Sequence, residues 1–179
     1  MAITVRFETL IDRYHDEIYR YLWRLLIGLG DAEGEVDAQD LTQEVFLRAF
    51  KAFGHLQPNS NHRAWLYKIA TNCAYTVLKR NRRQSRHDVL SLDEARQLFT
   101  SANPSPHEQF VLNESLGIVR QAIAALPPKQ QAAVMMRHIQ GLEYPEIAQA
   151  LGCSEDSARA NVYQAIRRLR QELAEDWVE

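Results

Sequence analysis

Along most of this chain apolar residues recur at steps of three and four, the spacing that gathers them on one face of an α-helix. Phe7, Leu10, Ile11, Tyr14, Ile18, Tyr21, Leu22 and Leu25 predict a first amphipathic helix that ends near Gly28 and Gly30. Leu41, Val45, Phe46, Ala49, Phe50 and Phe53 predict a second, interrupted by Gly, Pro, Asn and Ser between Gly54 and Asn61. A third starts near His62 and runs through Trp65, Leu66, Ile69, Cys73 and Val77 into a basic cluster. Three helices of this kind can close one core.

From Ser85 to Pro106 polar residues mix with isolated apolar ones and end in Asn103-Pro104-Ser105-Pro106, a composition that rarely supports a packed element. A second helical set begins near His107, continues through Leu112, Leu116, Val119, Ile123 and Leu126, and breaks at Pro127-Pro128. Further helices are predicted over Lys129 to Ile139, Tyr144 to Leu151 and from Ser154 onward. No run alternates apolar and polar residues, and the 179 residues include only seven glycines and six prolines. The expected fold is therefore all-α: two small helical domains, 1–84 and 107–179, joined by a flexible linker over 85–106.

Composition supports this picture: an apolar fraction of 46% can fill real cores and excludes disorder throughout. A net charge of -2 argues against a protein that coats nucleic acid indiscriminately, but the charges are segregated. Asp31 to Glu44 holds six acids and no Lys or Arg, whereas His62 to His87 holds seven Lys or Arg and no acid. The first suits a basic partner and the second suits phosphate. Cys73 and Cys153 are far apart in apolar helical patterns, which predicts buried thiols rather than a disulfide or a metal site. No apolar run approaches a membrane span and the N-terminus has no leader-like order, so the cytoplasm is the expected compartment.

The segment from Tyr144 to Leu169 combines what a helix-turn-helix needs. Ile147, Ala148 and Leu151 give its first helix an inward face, and Gly152 permits a left-handed turn. Ser154 can cap the second helix, with Glu155 and Asp156 in the first turn where the helix dipole favours acids. Ala158, Val162, Ala165, Ile166 and Leu169 form its buried stripe. The opposite face offers Ser157, Arg159, Asn161, Tyr163 and Gln164, side chains able to reach base edges or phosphates, with Arg167, Arg168 and Arg170 suited to the DNA backbone. A solvated face on an ordinary helical hairpin is the plain alternative, and the coincidence of turn, cap, small-residue packing and basic outer face weighs against it.

Ala125-Leu-Pro-Pro-Lys-Gln-Gln-Ala-Ala-Val, followed by Gly141-Leu-Glu-Tyr-Pro-Glu-Ile-Ala, resembles the fourth conserved region of sigma-70-type factors. Asp40-Leu-Thr-Gln-Glu-Val-Phe-Leu-Arg-Ala-Phe resembles their second region, and Arg63-Ala-Trp-Leu-Tyr-Lys-Ile-Ala-Thr-Asn their promoter-melting segment. Without the additional regions of housekeeping factors, the chain is similar to the extracytoplasmic-function group.

That resemblance implies an RNA polymerase sigma factor, which directs initiation by binding core polymerase and two promoter elements. It places Asp40, Leu41, Gln43, Glu44 and Arg48 on the beta-prime clamp, with the fourth region on the beta flap. Minus-10 DNA would fall to Asn59, Ser60, Asn61, Trp65, Tyr67 and Asn72, with Lys79, Arg80, Arg82 and Arg83 holding phosphates. Aromatics at helical spacing more often fill cores, and Trp65 is expected to be at least partly structural. Minus-35 DNA would fall to Arg137, Ser157, Arg159, Ala160, Asn161, Tyr163, Gln164 and Arg167. Asp156-Ser157 stands where the family usually has Gly-Thr, and amides at Asn161 and Gln164 replace common basic residues, which shifts plausible readout toward adenine.

The linker would permit compaction by an anti-sigma partner that covers both domains. Two other classes compete: a helix-turn-helix regulator that never joins polymerase, and an interaction protein that mimics an anti-sigma factor. The acidic helix and the melting-type segment disfavour the first, and the basic recognition face disfavours the second. An enzyme is not expected, because no HExxH, exposed nucleophile or Gly-rich phosphate loop is present, and no cofactor or metal is implied.

Overall fold

A computed structural model describes residues 6–27, 34–57, 59–84 and 117–175. The predicted linker 85–106 lies outside the described residues. Every regular element among the described residues is helical, as the spacing of apolar residues predicts.

Helices α1 (Phe7–Ile27), α2 (Gly34–Phe53) and α3 (His62–Gln84) pack against one another. Ile18, Tyr21, Leu22 and Leu25 of α1 meet Val45, Phe46 and Ala49 of α2 and Leu66, Tyr67, Ala70 and Ala74 of α3 in a buried core. The few polar groups inside are paired, as burial requires. Tyr21 Oη lies 2.9 Å from Thr71 Oγ1, and Thr42 Oγ1 donates to the Ala38 carbonyl at 2.7 Å. Phe50 departs from the expected stripe: it is 62% exposed, with its ring edge-on to Phe7 at 5.3 Å. One residue past the buried Ala49 is about 100° around the helix, and that rotation carries Phe50 to the rim.

The turn after α2 closes with Leu56 N–H donating to the Phe53 carbonyl, and Asn61 caps α3 by accepting the Ala64 N–H on Oδ1 at 3.0 Å. Helix α3 then continues through the basic cluster.

The C-terminal set begins with α4 (described over 117–125), bends at Leu126 and restarts at α5 (Pro128–Val134), with proline at the first position where no N–H is needed. The sequence predicts one uniform helix to Ile139. Instead α5 runs into a π-helical turn, Met135–Ile139, in which Gln140 N–H reaches back five residues to the Met135 carbonyl. Gly141 (φ 67°) then reverses the chain and Leu142 drops into the core. Helix α6 (Tyr144–Leu151) ends at Gly152 (φ 61°), and α7 (Glu155–Glu175) follows. Cys153 N–H to the Ala148 carbonyl and Gly152 N–H to the Gln149 carbonyl close the left-handed turn that Gly152 predicts.

The two sets touch, because α6 lies on α3. Arg63 donates to Glu17 of α1 through Nε at 2.8 Å and to the Gln140 carbonyl at 2.7 Å, and lies 3.7 Å from Glu146. Asn61 Nδ2 donates to Glu146 Oε1 at 3.1 Å, and Tyr75 Oη to the Pro128 carbonyl at 2.7 Å.

Candidate nucleic-acid interface

The second helix of the helix-turn-helix starts as its sequence dictates. Ser154 Oγ accepts the Ser157 N–H at 3.2 Å and donates to Ser157 Oγ at 2.9 Å, with Glu155 and Asp156 in the first turn. Ala158, Val162 and Ala165 are buried against the neighbouring helices, while Ile166 and Leu169 pack partly against the same core. Burial of that stripe turns Ser157, Arg159, Ala160, Tyr163, Gln164 and Arg167 outward; Tyr163 is 70% exposed. Arg159 is paired with Glu155 one turn back and lies over the Tyr144 ring.

The two amides are less free than the sequence implies. Asn161 Nδ2 donates to the Ser157 carbonyl at 2.8 Å, and Gln164 Oε1 accepts from Gln130 Nε2 at 2.8 Å. A two-point contact to adenine uses one amide N–H and one carbonyl lone pair; each side chain keeps both beside its bond within the protein, so these bonds fix the orientation of the amides without using up that capacity. Arg137, on the π-helical turn, bonds the Leu142 carbonyl and Glu143, both at 2.9 Å, and shares the Tyr144 ring with Arg159.

On α3 the expected residues divide. Asn72, Lys79 and Arg80 are exposed, and Tyr75, Thr76, Lys79 and Arg80 line one open groove. Arg82 and Arg83 continue the helix, but their side chains lie outside the described residues. Asn59 is exposed and Ser60 half-buried. Asn61 is committed to capping α3 and to Glu146. Trp65 packs partly into the core, as its helical spacing implies.

Tyr67 corrects the sequence reading. It has no exposed surface; its ring packs edge-on against Tyr21 at 4.9 Å and its hydroxyl donates to Glu17 at 2.9 Å. Burial, reinforced by the Glu17 carboxylate, pushes its phenol well above the ordinary tyrosine range. It is a core residue and presents no face on which a base could stack.

On α2, Asp40, Gln43 and Arg48 are exposed and Glu44 is half-buried, with Arg48 Nε 2.6 Å from Glu44. Leu41 is the second correction, because it lies in the core at 8% exposure, where it fixes the helix rather than meeting a partner. Sequence periodicity missed the apolar residue on the outer face, Leu47, which is 49% exposed. Its signal was its position off the Leu41, Val45 and Ala49 stripe.

Family models for "Sigma-70 region 2" and "Sigma-70, region 4" match residues 10–84 and 116–169. The RNA polymerase sigma-H factor of Pseudomonas aeruginosa is 30% identical over 165 residues, covering 89% of this chain and 81% of that protein. The chain belongs to the extracytoplasmic-function sigma factors. Within that family the ECF RNA polymerase sigma factor SigE of Mycolicibacterium smegmatis is 32% identical over 168 residues, and this chain spans 61% of its length. The fold is similar to that of the sigma factor RpoE from Bartonella quintana, solved in complex with the anti-sigma factor NepR. The TM-score is 0.67, with 19% identity, covering 94% of this chain and 96% of that one.

The matched regions of this sigma factor meet through groups that periodicity cannot expose. Arg63 and Glu146 belong to different regions, and only the packing of α6 on α3 brings them together. No helix among the described residues is long and apolar enough to cross a membrane.

Proposed function

We propose that this sigma factor recruits core RNA polymerase to promoters whose minus-35 element it reads with α7 and whose minus-10 element it opens with α3 and the turn before it. One observation carries the proposal. A capped recognition helix with an outward face of Ser157, Arg159, Ala160, Tyr163 and Arg167 stands in the same chain as an exposed α2 face of Asp40, Gln43, Glu44 and Arg48. A regulator that only binds an operator has no use for the second surface.

On α2, Glu44 and Asp40 lie one and two turns before the exposed Leu47, a pattern that suits a basic partner surface beside an apolar contact, as expected of the beta-prime clamp. On the DNA side, Asn59, Ser60, Asn72 and the rim of Trp65 take minus-10 bases, and Lys79, Arg80, Arg82 and Arg83 hold phosphates. Arg137, Asn161 and Gln164 complete the minus-35 face. Residues 1–84 and 107–179 act as the two domains, the latter also meeting the beta flap, with 85–106 as the connection between them. The protein works as a specificity subunit in the cytoplasm and performs no catalysis of its own. An anti-sigma partner belongs to this proposal, because the Bartonella relative in fold was solved with one bound.

In vitro transcription with core polymerase and a genomic fragment library tests the proposal. Initiation from discrete promoters is the expected result. A folded protein that yields none with active core polymerase overturns it. Recovery of an anti-sigma protein with the tagged chain tests the regulatory part separately.

A further inference from the structure

Tyr144 opens α6, and two arginines from different elements converge on its ring. The guanidinium carbon of Arg137, on the π-helical turn, lies 4.7 Å from the ring centroid; that of Arg159, on the recognition helix, lies 4.3 Å away. Two cations on one ring repel each other, and each has its own counter-ion: Glu143 for Arg137 and Glu155 for Arg159. The ring forms one wall of an open groove of about 610 Å³ that Arg159, Tyr163 and Arg167 also line. Tyr144 is itself well anchored, since the Glu143 N–H before it donates to Glu146 Oε2 at 2.9 Å and closes the first turn of α6.

The carboxylates and the ring differ in how they respond to DNA. Approaching phosphates repel Glu143 and Glu155 and compete for the arginines they hold, so those pairs weaken as the complex forms. An uncharged aromatic face suffers no such repulsion and keeps its attraction for a cation. A free arginine loses much rotamer entropy when DNA fixes it, and a side chain already resting on a ring loses less.

We propose that Tyr144 is a positioning residue for minus-35 recognition, which holds Arg137 and Arg159 in register through its ring while their carboxylate partners give way to DNA. This rests on the reading of α7 as the minus-35 helix. The hydroxyl is not needed and the aromatic face is, which separates this role from a direct hydrogen bond to phosphate.

The test uses holoenzyme made from core polymerase and the full chain, on a promoter recovered from the genomic library, with the minus-35 segment randomised. Y144F is expected to match wild type in affinity and base preference. Y144L is expected to lose about tenfold in affinity and to flatten preference at the base pairs that R159A flattens, and the triple variant Y144L/R137A/R159A to be no worse than R137A/R159A. Thermal melting of each variant separates loss of fold from loss of positioning. If Y144L does not fold, ring-current shifts of the Arg137 and Arg159 side-chain protons in folded wild type and Y144F decide the matter. A triple variant weaker than R137A/R159A, unchanged preference in folded Y144L, a Y144F variant as weak as Y144L, or unshifted arginine protons overturn the proposal. Wild-type holoenzyme that transcribes but selects no minus-35 sequence overturns the reading of α7 and this role with it. Normal selection by both wild type and Y144L overturns this role alone.

Discussion

The N-terminal and C-terminal helical sets solve the same packing problem with different side chains. The core among α1, α2 and α3 is filled by volume: Tyr21, Tyr67, Ile18, Leu22, Leu25 and Leu66 are all fully buried. In the C-terminal set half of the buried apolar positions are alanines, among them Ala132, Ala133, Ala148, Ala150, Ala158 and Ala165, beside larger anchors such as Met136, Leu142 and Ile147. Large side chains hold helices apart and tolerate some variation in angle. Small ones let backbones approach, so the turns must be set by the chain itself, and both left-handed residues among those described, Gly141 and Gly152, lie in this second set. The first set is stabilised by what it buries, and the second by how closely its helices can meet.

The largest effect should come from removing volume in the first set. Leu66→Ala should cost about 2–5 kcal/mol through lost burial and an imperfectly collapsed cavity. Hydrogen exchange should rise across α1, α2 and α3, and equal loss of protection throughout α7 would refute the difference between the two sets. The reciprocal change adds volume where there is none to spare: Ala158→Leu should destabilise by about 1–3 kcal/mol. Its exchange signature should centre on α6 and α7 and be accompanied by weaker minus-35 binding.

The contact between the sets can be cut at Arg63. Arg63→Met leaves Glu17 and Glu146 without their shared cation, at a cost of roughly 1–3 kcal/mol, discounted from a fully buried pair because both carboxylates are partly wet. Small-angle scattering should then show a larger radius than wild type; an unchanged radius would mean that the other contacts suffice.

Smaller still is the turn. A Cβ at Gly152 would meet nothing within 4 Å, so Gly152→Ala should cost only the left-handed strain, about 1–2 kcal/mol, read as a lower melting temperature. The two thiols give the mildest contrast. Burial pushes the Cys73 thiol above the usual cysteine range, while Cys153 lies half-buried in the turn. A raised value leaves less thiolate at a given pH, so alkylation near pH 8 should be slower at Cys73 and should rise only at higher pH. Equal labelling rates would contradict its burial.

Legibility followed the same division. The long apolar stripes of α1 and α3 were readable because each buries one face, and the cap at Ser154 and the turn at Gly152 were readable because they are local chemistry. Tyr67 was misassigned to DNA because its motif position is shared by surface and core residues alike, and only its partners Tyr21 and Glu17 show which it is. Leu41 was assigned to the polymerase for a related reason: its spacing puts it on the buried stripe with Val45 and Ala49, but it also stands inside the docking motif, and only its burial shows that it belongs to the core. The π-helical turn left no mark in the sequence, since widening a helix by one residue changes no residue type.

The sequence by itself determined the helices, the cap at Ser154, the left-handed turn at Gly152 and the family, because these depend on residues close together along the chain or on motifs read in order. Only the tertiary structure decided which polar and charged groups meet. Arg63 with Glu146, Gln130 with Gln164, and Arg137 and Arg159 on the ring of Tyr144 join residues whose spacing carries no periodic signal. Such pairs arise from the angles at which helices pack, and those angles are set by the size of every side chain between them.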